Sequence, residues 1–575
     1  MIQGGTPAPW NWTRPQVSYF IKVCSFFDTG LPIRLVCPST ILELRYWPGA
    51  ASPVLVRNTV IQPQLSMANG IREFARSSPH AIAVRDGERE VTFGELDERS
   101  NRLANGLLNS GLRPEDPVAV LSGNRFEYFE IAAGLAKSGF PMVPLNPHNT
   151  VTDNEYILGH SGAKALLLDS ALAPNVAGLT EKLTCTASFG GQMGQKYESL
   201  LASSTNQDPR IQVNENDVFC ITYTSGTTGR PKGVMLTHRG RALTNYAAAL
   251  DFGLGPGSRT VAVAPMYHGA GFAFAYAGPM LGGTTSVLRT WDPECLLTIL
   301  ERDSINSVFL VPTHAQQIRR LIESPLSKYR LPHLHTLYFN AAALPVALKE
   351  WVIESFQGVG VHEVYGSTEC GIVTNLRPKD ALRKAGSVGH PWFMTEVRLV
   401  DDEMNVVGPG EPGELYARSP FLMKGYLGDE EATKAATDAD GFITVGDVAV
   451  TDEEGFISIV DRKKDMIISG GVNIFPREIE EVISRFENIH EVAVIGMPDE
   501  EYGERITGFV VARDGNAIDI EDLTRFVRAN ISSQKVPRSW YVVPSLPRNA
   551  AGKVVKGQIR DDFLTGTQTH EVGHP

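Results

Sequence analysis

Apolar and polar positions follow two periods along the chain, one typical of helices and one typical of strands. Helical spacing from Phe93 to Leu108 is followed by a β-branched run from Pro117 to Ser122, which predicts a helix and then a buried strand. Comparable apolar runs, each ending where a proline or asparagine begins a loop, occur at 261–264, 307–311 and 336–339. From about residue 68 the pattern therefore predicts a large domain built on mixed α/β sheets.

The strand pattern stops at a dense charge cluster, Asp461 to Asp465. A fresh α/β segment follows, and the proline in Phe475–Glu480 is typical of the first turn of a helix. We therefore predict an N-terminal domain over 67–461, a smaller C-terminal domain over 462–565 and a loose tail over 566–575. A solvated charged turn inside a single domain is the alternative that the charge pattern alone leaves open.

The first 66 residues differ from the rest in composition. They contain Trp10, Trp12 and Trp47, many prolines and a basic balance, and their periodicity is weak. The segment lacks the apolar core and the small-residue cleavage site of a signal peptide. We expect residues 1–66 to be an extension outside the family fold, either disordered or upstream of the true start at Met67. A protein truncated to Met67 is then expected to keep its activity.

The overall composition limits the classes of function. The chain has 575 residues, more than one hydrophobic core usually serves, and no run approaches eighteen apolar residues, so no membrane span is expected. The net charge of −12 argues against non-specific nucleic-acid binding, which needs a basic surface. The six cysteines are scattered without a CxxC pair, which favours reduced thiols over a zinc site and indicates a cytoplasmic enzyme.

The segment Tyr223–Val234, which reads YTSGTTGRPKGV, has the composition of a phosphate-binding loop. Its glycines allow backbone N–H groups to approach an anion closely, and its hydroxyls add hydrogen-bond donors. The spacing is not that of a Walker A loop, because Lys232 lies between Pro231 and Gly233. A flexible Ser/Gly/Thr loop would account for most short stretches of this composition, so the composition alone leaves that alternative open.

Three further segments follow this loop along the chain, namely VYGSTE at Val364–Glu369, VGDV at Val445–Val448 and the segment Leu546–Lys556. Together with the loop, they resemble the signature motifs of the adenylate-forming superfamily. That family includes acyl-CoA synthetases, luciferases and peptide-synthetase adenylation domains. The resemblance covers roughly Ala68 to Arg560, with the motifs in the family's order. It implies an α/β fold of the acyl-CoA synthetase/luciferase type, with a large N-terminal domain of mixed sheets and a small, mobile C-terminal α+β domain.

The resemblance implies which residues surround the phosphates of ATP. The loop would hold the phosphates that leave as pyrophosphate, through Thr224, Ser225, Gly226, Thr227, Thr228, Gly229 and Lys232. In the second motif, Tyr365 would stack on adenine, Thr368 would contact the α-phosphate, and Gly366 and Ser367 would form the turn between them. Glu369 would help to hold Mg²⁺, with Thr224 as a second contact, because Mg²⁺ prefers a few carboxylates together with substrate phosphates.

The adenine and ribose positions follow from the same resemblance. The segment Asn340–Pro345 takes the place of the family's adenine loop, and its alanines replace the usual glycines. The residues implied around adenine are Ala341, Ala342, Ala343 and Glu363. On local grounds, an alanine-rich helix start fits Asn340–Pro345 equally well. Asp447 would accept hydrogen bonds from both ribose hydroxyls and Arg462 would reach the same ribose, although Val445 replaces the threonine of the family motif.

The C-terminal motifs imply two half-reactions. Lys553 would bridge the carboxylate of the acid and the α-phosphate during adenylation, which stabilises the charge of the transition state. The small domain would then rotate about Lys464 and present a second face, Ser469, Gly470 and Gly471, to the pantetheine arm of coenzyme A. A two-glycine turn is also compatible with a simple bend.

The segment Pro265–Gly271 resembles the acyl-pocket block of the family. The residues implied are His268, Gly269, Gly271 and Phe272, with His268 in a positioning role among the catalytic residues Lys553, Thr224 and Glu369. Phe272, Phe274 and Tyr276 would form an apolar wall, although buried helix packing explains them as well. No aspartate stands in this block to pair a substrate ammonium, which disfavours amino acids.

Together these motifs predict an AMP-forming acyl-CoA synthetase. It would activate a fatty, branched or aryl acid with ATP and Mg²⁺, form acyl-AMP and transfer the acyl group to coenzyme A. A ligase that loads a carrier protein, a non-catalytic nucleotide-binding homologue and, more weakly, a luciferase-like oxygenase are the alternatives. The partners expected are the small-molecule substrates and no nucleic acid, and a homodimer stays open.

Overall fold

The structure is a computed structural model. It describes three strands within residues 33–58 and then residues 64–191, 193–224, 231–321, 329–470, 472–513, 517–548 and 554–565. The chain divides into two compact units, Met1–Pro63 and Gln64–Pro575. In the first unit the described strands β1 (Ile33–Cys37), β2 (Thr40–Arg45) and β3 (Val54–Asn58) form an antiparallel sheet with β2 in the middle.

The second unit begins slightly before Met67. The Leu65 backbone N–H donates to Glu215 Oε2 at 3.2 Å, and Asn69 Nδ2 donates to the Gln64 carbonyl at 2.8 Å. Met67 itself is fully buried. Residues 64–66 thus belong to the second unit, whereas the proposed extension and the boundaries at residues 461 and 565 stay predictions.

Helices and strands alternate at the start of the second unit. In chain order they are α1 (Asn69–Ser77), β4 (Ile82–Asp86), β5 (Arg89–Thr92), α2 (Phe93–Asn109), β6 (Val118–Leu121), α3 (Phe126–Ser138), β7 (Met142–Leu145), α4 (Val151–Ser161), β8 (Ala165–Asp169), β9 (Cys185–Phe189), β10 (Gln195–Lys196) and α5 (Tyr197–Ala202). The predicted helix is confirmed as α2, which Thr92 caps by accepting the Glu95 N–H. The predicted strand is confirmed as β6, which is buried on both faces.

The next segment carries most of the candidate site. Its elements are β11 (Val218–Thr224), β12 (Lys232–Thr237), α6 (His238–Phe252), β13 (Arg259–Ala262), α7 (Gly269–Met280), β14 (Thr284–Val287), α8 (Pro293–Arg302), β15 (Ser307–Leu310), α9 (Pro312–Leu321), β16 (Thr336–Phe339), α10 (Val346–Ser355), β17 (Gly360–Ser367) and β18 (Gly371–Leu376). Strands β13, β15 and β16 confirm the three strands predicted from the apolar runs. Strand β13 ends two residues early, where the Val263 N–H turns back to the Val261 carbonyl.

The last part of the chain is richer in antiparallel strands. Its elements are β19 (His390–Pro391), β20 (Glu396–Val400), β21 (Gly413–Arg418), β22 (Gly425–Tyr426), α11 (Glu430–Ala436), β23 (Ile443–Thr451), β24 (Ile457–Arg462), β25 (Ile467–Ser469), β26 (Val472–Ile474), α12 (Pro476–Ile483), β27 (Ile489–Asp499), β28 (Gly503–Ala512), α13 (Ile520–Asn530), β29 (Ser539–Val542) and α14 (Lys556–Leu564). Helix α12 begins at Pro476, as its first-turn proline predicts.

The strands of the second unit form several sheets, which confirms the mixed α/β class. The largest has the order β10-β9-β8-β6-β7-β11-β12-β22, in which β6 to β9 pair in parallel and β11, β12 and β22 pair antiparallel. Two further sheets are β13-β14-β4-β5 and β15-β16-β17-β18-β19, and an antiparallel sheet follows as β20-β21-β23-β24. The C-terminal sheet is β26-β25-β28-β27, with β29 beside β28.

The buried apolar side chains form separate clusters before and after Arg462. The largest apolar core and its neighbours contain residues before Arg462, whereas one cluster runs from Ile467 to Trp540 and another from Ala493 to Ile559. The segment after β24 therefore has an apolar core of its own. This agrees with a small C-terminal α+β domain.

Two further sequence predictions concern the membrane and the thiols. No described helix combines the length and the apolar character that crossing a bilayer requires. The cysteines whose side chains are described are free thiols, namely Cys185, Cys220, Cys295 and Cys370.

Candidate active site

The phosphate loop is held at the end of an antiparallel hairpin in the large sheet. Strands β11 and β12 pair so that Thr224 stands opposite Lys232, one on each side of the loop. The loop residues Ser225, Gly226, Thr227, Thr228 and Gly229 lie outside the described residues. The described hairpin thus fixes both ends of the loop, and it leaves Thr224 and Lys232 half-buried.

Lys232 lies beside an aromatic ring that the sequence did not indicate. Its Nζ is 4.9 Å from the centroid of the Tyr426 ring, and the Tyr426 hydroxyl donates to Glu369 Oε1 at 3.1 Å. Burial, followed by the charge of Glu369, raises the pKa of Tyr426, so its hydroxyl remains a donor at neutral pH. A cation and a carboxylate are thereby connected through one side chain.

Tyr426 reaches this position because β22 is an edge strand next to β12. Val234 and Met235 pair with Tyr426 and Gly425. An open cleft follows the same edge, lined by Tyr156, His160, Pro231, Lys232, Tyr426, Leu427 and Asp429. The short strand gives no periodic signal in the sequence, so only the sheet pairing reveals the contact.

Glu369 lies at the tip of the hairpin formed by β17 and β18. A Cβ atom on Gly366 would stand 2.1 Å from the Gly371 carbonyl oxygen, so only glycine fits this turn. Ser367 Oγ accepts the Cys370 N–H at 3.0 Å, and Thr368 and Glu369 are half-buried at the tip. The Glu369 backbone carbonyl accepts the Met423 N–H at 2.7 Å, which fastens the tip to the segment leading into β22.

Tyr365, Asp447 and Arg462 meet across two sheets. The Tyr365 hydroxyl donates to Asp447 Oδ2 at 2.6 Å, and Arg462 Nε is 3.2 Å from Asp447 Oδ1. Asp447 and Arg462 face each other as a pair of β23 and β24. Burial, followed by the Asp447 charge, raises the pKa of Tyr365. Each carboxylate oxygen of Asp447 keeps a free lone pair, which is sufficient for two further hydroxyl donors.

The proposed adenine loop is exposed, but the Glu363 side chain that holds it is buried. Ala341, Ala342 and Ala343 are solvent-exposed, and Ala341 has a φ of +77°. The Glu363 carboxylate accepts the Leu344 N–H at 3.1 Å and lies 2.6 Å from Lys349 Nζ. Both partners are internal, so the Glu363 side chain fixes the loop from beneath.

A small cavity lies where the acyl pocket is predicted. Its volume is about 10 Å³, room for about one water molecule. Its walls are Met142, Pro144, Cys220, Thr222, Leu236, Arg241, Met266, Tyr267, His268, Gly269 and Phe272. Three predicted pocket residues, His268, Gly269 and Phe272, are therefore together in this wall.

Helix α7 positions those residues. It begins at Gly269 after the cap residue His268, and a Cβ atom on Gly271 would be 2.1 Å from the Pro265 carbonyl oxygen. A Cβ atom on Gly269 would lie 3.9 Å from Thr368 Oγ1, so the cavity adjoins the Thr368–Glu369 tip. Of the predicted aromatic wall, Phe272 alone faces the cavity.

The other two aromatic residues of that predicted wall belong to the packing. Phe274 packs on Tyr338 and Phe309, whereas Tyr276 stacks on Phe129 and donates to the Met67 carbonyl. Phe274 lies two positions after Phe272 and therefore on another face of the helix. Tyr276 lies on the same face as Phe272, one turn later, and stacks on the Phe272 ring instead of lining the cavity.

The C-terminal candidate residues come from three segments after β24, which the structure describes in part. Lys553 lies outside the described residues, between Arg548 and Val554, which form a β-bridge. Ser469 is buried at the end of β25, and Gly470 has a φ of +60° in the turn to β26, of which Gly471 is outside the described residues. Lys464 is exposed in a single 3₁₀ turn directly after β24.

Comparison with protein families covers most of the chain. The family described as AMP-binding enzyme matches residues 71–427, and the AMP-binding enzyme C-terminal domain matches residues 478–553. These matches span the phosphate loop, the YGSTE motif and the lysine loop.

Individual relatives match over almost their whole length. A feruloyl-CoA synthase from Amycolatopsis sp is 37% identical over 495 residues, which cover 85% of this chain and 97% of that protein. A 2-succinylbenzoate–CoA ligase from Geobacillus sp is 30% identical, over 86% of this chain and 98% of that protein.

Solved structures show the same architecture. The o-succinylbenzoate CoA synthetase from Bacillus subtilis, in complex with its acyl-adenylate intermediate, has a TM-score of 0.78 at 27% identity and covers 86% of this chain and 98% of its own. ATP-bound MatB from Rhodopseudomonas palustris has a TM-score of 0.80 at 28% identity and covers 88% and 100%.

Proposed function

The chain belongs to the AMP-binding enzyme family, and we propose that its site joins an apolar carboxylic acid to AMP and then to coenzyme A. It is an ATP-dependent acid–thiol ligase. In the first step a carboxylate oxygen attacks the α-phosphorus of ATP and pyrophosphate leaves. In the second step the thiol sulfur of coenzyme A attacks the acyl carbonyl, loses its proton and displaces AMP.

One observation carries this proposal. Lys232, Tyr426 and Glu369 form a continuous set of contacts on the phosphate side, and the Thr368–Glu369 tip adjoins Gly269 in the wall of the acyl cavity. A nucleotide phosphate and an acid can therefore meet at this tip. The chemistry needs that proximity, because adenylation joins two anions that repel each other in solution.

The nucleotide residues have separate tasks in the proposal. The loop over 225–229 and Lys232 hold the phosphates that leave. Tyr365 holds adenine, while Asp447 and Arg462 hold the ribose. Lys553 neutralises the charge that develops between the acid and the α-phosphate, and the Ser469–Gly471 turn receives coenzyme A after a rotation at Lys464.

Magnesium fits the donor set near the phosphate loop. Among the described residues no group of three or more His, Cys, Asp or Glu side chains could cage a metal. The half-buried Glu369 offers one carboxylate, which suits Mg²⁺ because that ion takes one or two carboxylates and completes its shell with phosphates and water. The ion would neutralise phosphate charge, with Glu369 and the Thr224 hydroxyl as its protein contacts.

The acid pocket supports an apolar substrate. Most of its wall is aliphatic, aromatic or thioether, and no aspartate or glutamate belongs to it. Named relatives act on feruloyl, 2-succinylbenzoate and long-chain fatty acyl groups, so fatty, branched and aryl acids are all candidates.

The test is a panel of carboxylic acids with ATP and Mg²⁺, in which pyrophosphate is measured first and AMP and acyl-CoA after coenzyme A is added. Before coenzyme A is added, apolar acids should release only pyrophosphate. After coenzyme A is added, they should also give AMP and acyl-CoA. Acyl-adenylate without a thioester would move the acceptor to a carrier protein. No pyrophosphate from any acid would contradict the proposal and support a nucleotide-binding homologue without activity.

A further inference from the structure

A buried arginine stands in the mostly apolar wall of the predicted acyl cavity. Arg241 is 8% exposed and lines the cavity beside Cys220 and Gly269. Its Nη2 donates to the Gly269 carbonyl oxygen at 2.8 Å. Within the part of the chain that the structure describes, no ion pair joins Arg241 to a carboxylate.

A buried guanidinium without a carboxylate is energetically costly. Removing such a charge from water is unfavourable unless an anion or several acceptors replace the water. Arg241 also stands in the first turn of α6, where the helix dipole opposes a cation. Burial accordingly lowers the pKa of Arg241. The fold thus keeps a cation at a place where packing alone would prefer an apolar side chain.

Two further buried polar groups, one on α3 and one on α6, lack acceptors among the described residues. The Tyr128 hydroxyl and Asn245 Nδ2 are buried without a hydrogen-bond partner among the described residues. Asn245 lies one turn after Arg241 on the same face of α6. The Tyr128 ring centroid lies 6.3 Å from that of Phe272, which belongs to the cavity wall. Buried donors without an acceptor among the described residues thus lie on α6 and beside the cavity wall.

We propose that Arg241 binds an oxygen on the acid substrate other than the reacting carboxylate, so that the preferred acid is an apolar framework with a remote hydroxyl or carboxylate. An oxygen acceptor would satisfy the guanidinium and compensate its burial. The inference rests on the proposed function and narrows its substrate class.

Entry of such an acid requires a wider pocket than the cavity of about 10 Å³. Met142 and Met266 belong to the wall, and their unbranched thioether side chains adopt new rotamers easily. The proposal therefore requires these two side chains to move when the acid enters, while Arg241 keeps its hydrogen bond to the Gly269 carbonyl oxygen.

The first test uses the unchanged full-length protein. It compares cinnamic acids that carry a 4-methyl, 4-hydroxy or 4-carboxy group, through kcat/KM for pyrophosphate release. The methyl and hydroxyl groups have nearly the same size, so the ratio of kcat/KM for these two acids reports the contribution of the oxygen atom. We expect the hydroxyl or the carboxyl acid to exceed the methyl acid by at least about tenfold, and the better of the two identifies the remote group.

The second test uses Arg241→Met, with Arg239→Met as the matched control. Arg239 lies on the same helix but is exposed, and it pairs with Glu215. We expect Arg241→Met to reduce the preference for the oxygenated acid by roughly 10- to 100-fold, while Arg239→Met retains it. Thermal unfolding of both variants shows whether Arg241→Met is folded.

Two results would overturn the inference. One is equal use of the methyl, hydroxyl and carboxyl acids by the unchanged protein. The other is an equal loss for all three acids in a folded Arg241→Met variant, since Arg241 would then bind the reacting carboxylate. If no acid of any class releases pyrophosphate, the proposed function itself fails and the inference fails with it.

Discussion

At the scale of single residues, Tyr426 does two things with one side chain. Its ring face lies beside the Lys232 ammonium and its hydroxyl binds Glu369. These contacts connect a cation and a carboxylate through one side chain. In the proposed function, the cation serves the phosphates and the carboxylate serves Mg²⁺.

Replacing Tyr426 with phenylalanine separates these two contacts. The ring keeps its position beside Lys232, whereas Glu369 loses the hydroxyl donor. We expect kcat/KM for adenylation to fall about tenfold, the value of roughly one hydrogen bond to a charged group, with a higher Mg²⁺ concentration at half-maximal rate. Pyrophosphate release at varied Mg²⁺ measures both quantities.

Tyr416→Phe is the control, because Tyr416 is a buried tyrosine of β21 that packs with Val400 and Phe442. It should leave the Mg²⁺ dependence unchanged. An unaltered Mg²⁺ dependence in Tyr426→Phe as well would mean that the hydroxyl does not assist Glu369.

Ala341 carries a backbone cost at the edge of the nucleotide site. At a φ of +77°, a residue with a Cβ atom lowers the stability of the fold by roughly 1–2 kcal/mol relative to glycine. We expect Ala341→Gly to leave the free energy of unfolding unchanged or to raise it by up to about 1 kcal/mol, since glycine also adds entropy to the unfolded chain. Ala342→Gly, whose φ is not positive, should lower it by about 0.5–1 kcal/mol. Urea denaturation distinguishes the two, and equal losses would show that Ala341 is not strained.

At the scale of elements, the sequence predicts what local pattern controls. Helix α2, strands β6, β15 and β16 and the proline start of α12 are all readable, because their periodicity or capping is local. The motif residues Lys232, Glu369 and Asp447 are recognisable because they lie in contiguous blocks. Those elements and blocks account for most of the fold class and the phosphate side of the site.

What the sequence could not predict depends on elements that meet across long separations. Tyr426 arrives through a two-residue strand that pairs with β12, about 190 positions earlier in the chain. Arg241 looks like an ordinary surface residue beside Arg239 until α6 is packed against α7. Neither contact leaves a periodic trace, so both residues were missed.

The start of α7 requires glycine at position 271, because a Cβ atom there would be 2.1 Å from the Pro265 carbonyl oxygen. Gly271→Ala should therefore displace His268 and Gly269, raise the KM for the acid and lower stability by roughly 1–3 kcal/mol. The control is Gly159→Ala in α4, where a Cβ atom meets nothing within 4 Å and stability should be retained or increased. A normal KM in Gly271→Ala would show that α7 tolerates the change.

At the scale of the whole molecule, the proposed function assigns two separate tasks to one small domain. The segment after β24 has its own apolar clusters, and it contains both Lys553 and the Ser469–Gly471 segment. In the proposal, these two segments serve one acyl group in succession. A domain with its own core can move as a unit, because few of its buried contacts need to break.

The connection at Lys464 is the place where such a movement can be tested. Lys464 is exposed in the short 3₁₀ turn that follows β24, and its neighbour Lys463 pairs with Asp402 and Glu414. Proline fixes φ near −65°, which is the value of a 3₁₀ turn. Lys464→Pro should therefore hold the domain in a single arrangement, whereas Lys464→Ala removes the side chain and leaves the backbone free.

The two half-reactions then report the restriction separately. Adenylation is followed as pyrophosphate release without coenzyme A, and thioester formation starts from added acyl-adenylate and coenzyme A. We expect Lys464→Pro to lose one half-reaction by about 100-fold and to keep the other within about threefold, because one arrangement can present only one of the two segments. Lys464→Ala should keep both half-reactions. If the proline variant also kept both, the two segments would act without a rotation at Lys464, and the site would have to admit Lys553 and coenzyme A at the same time.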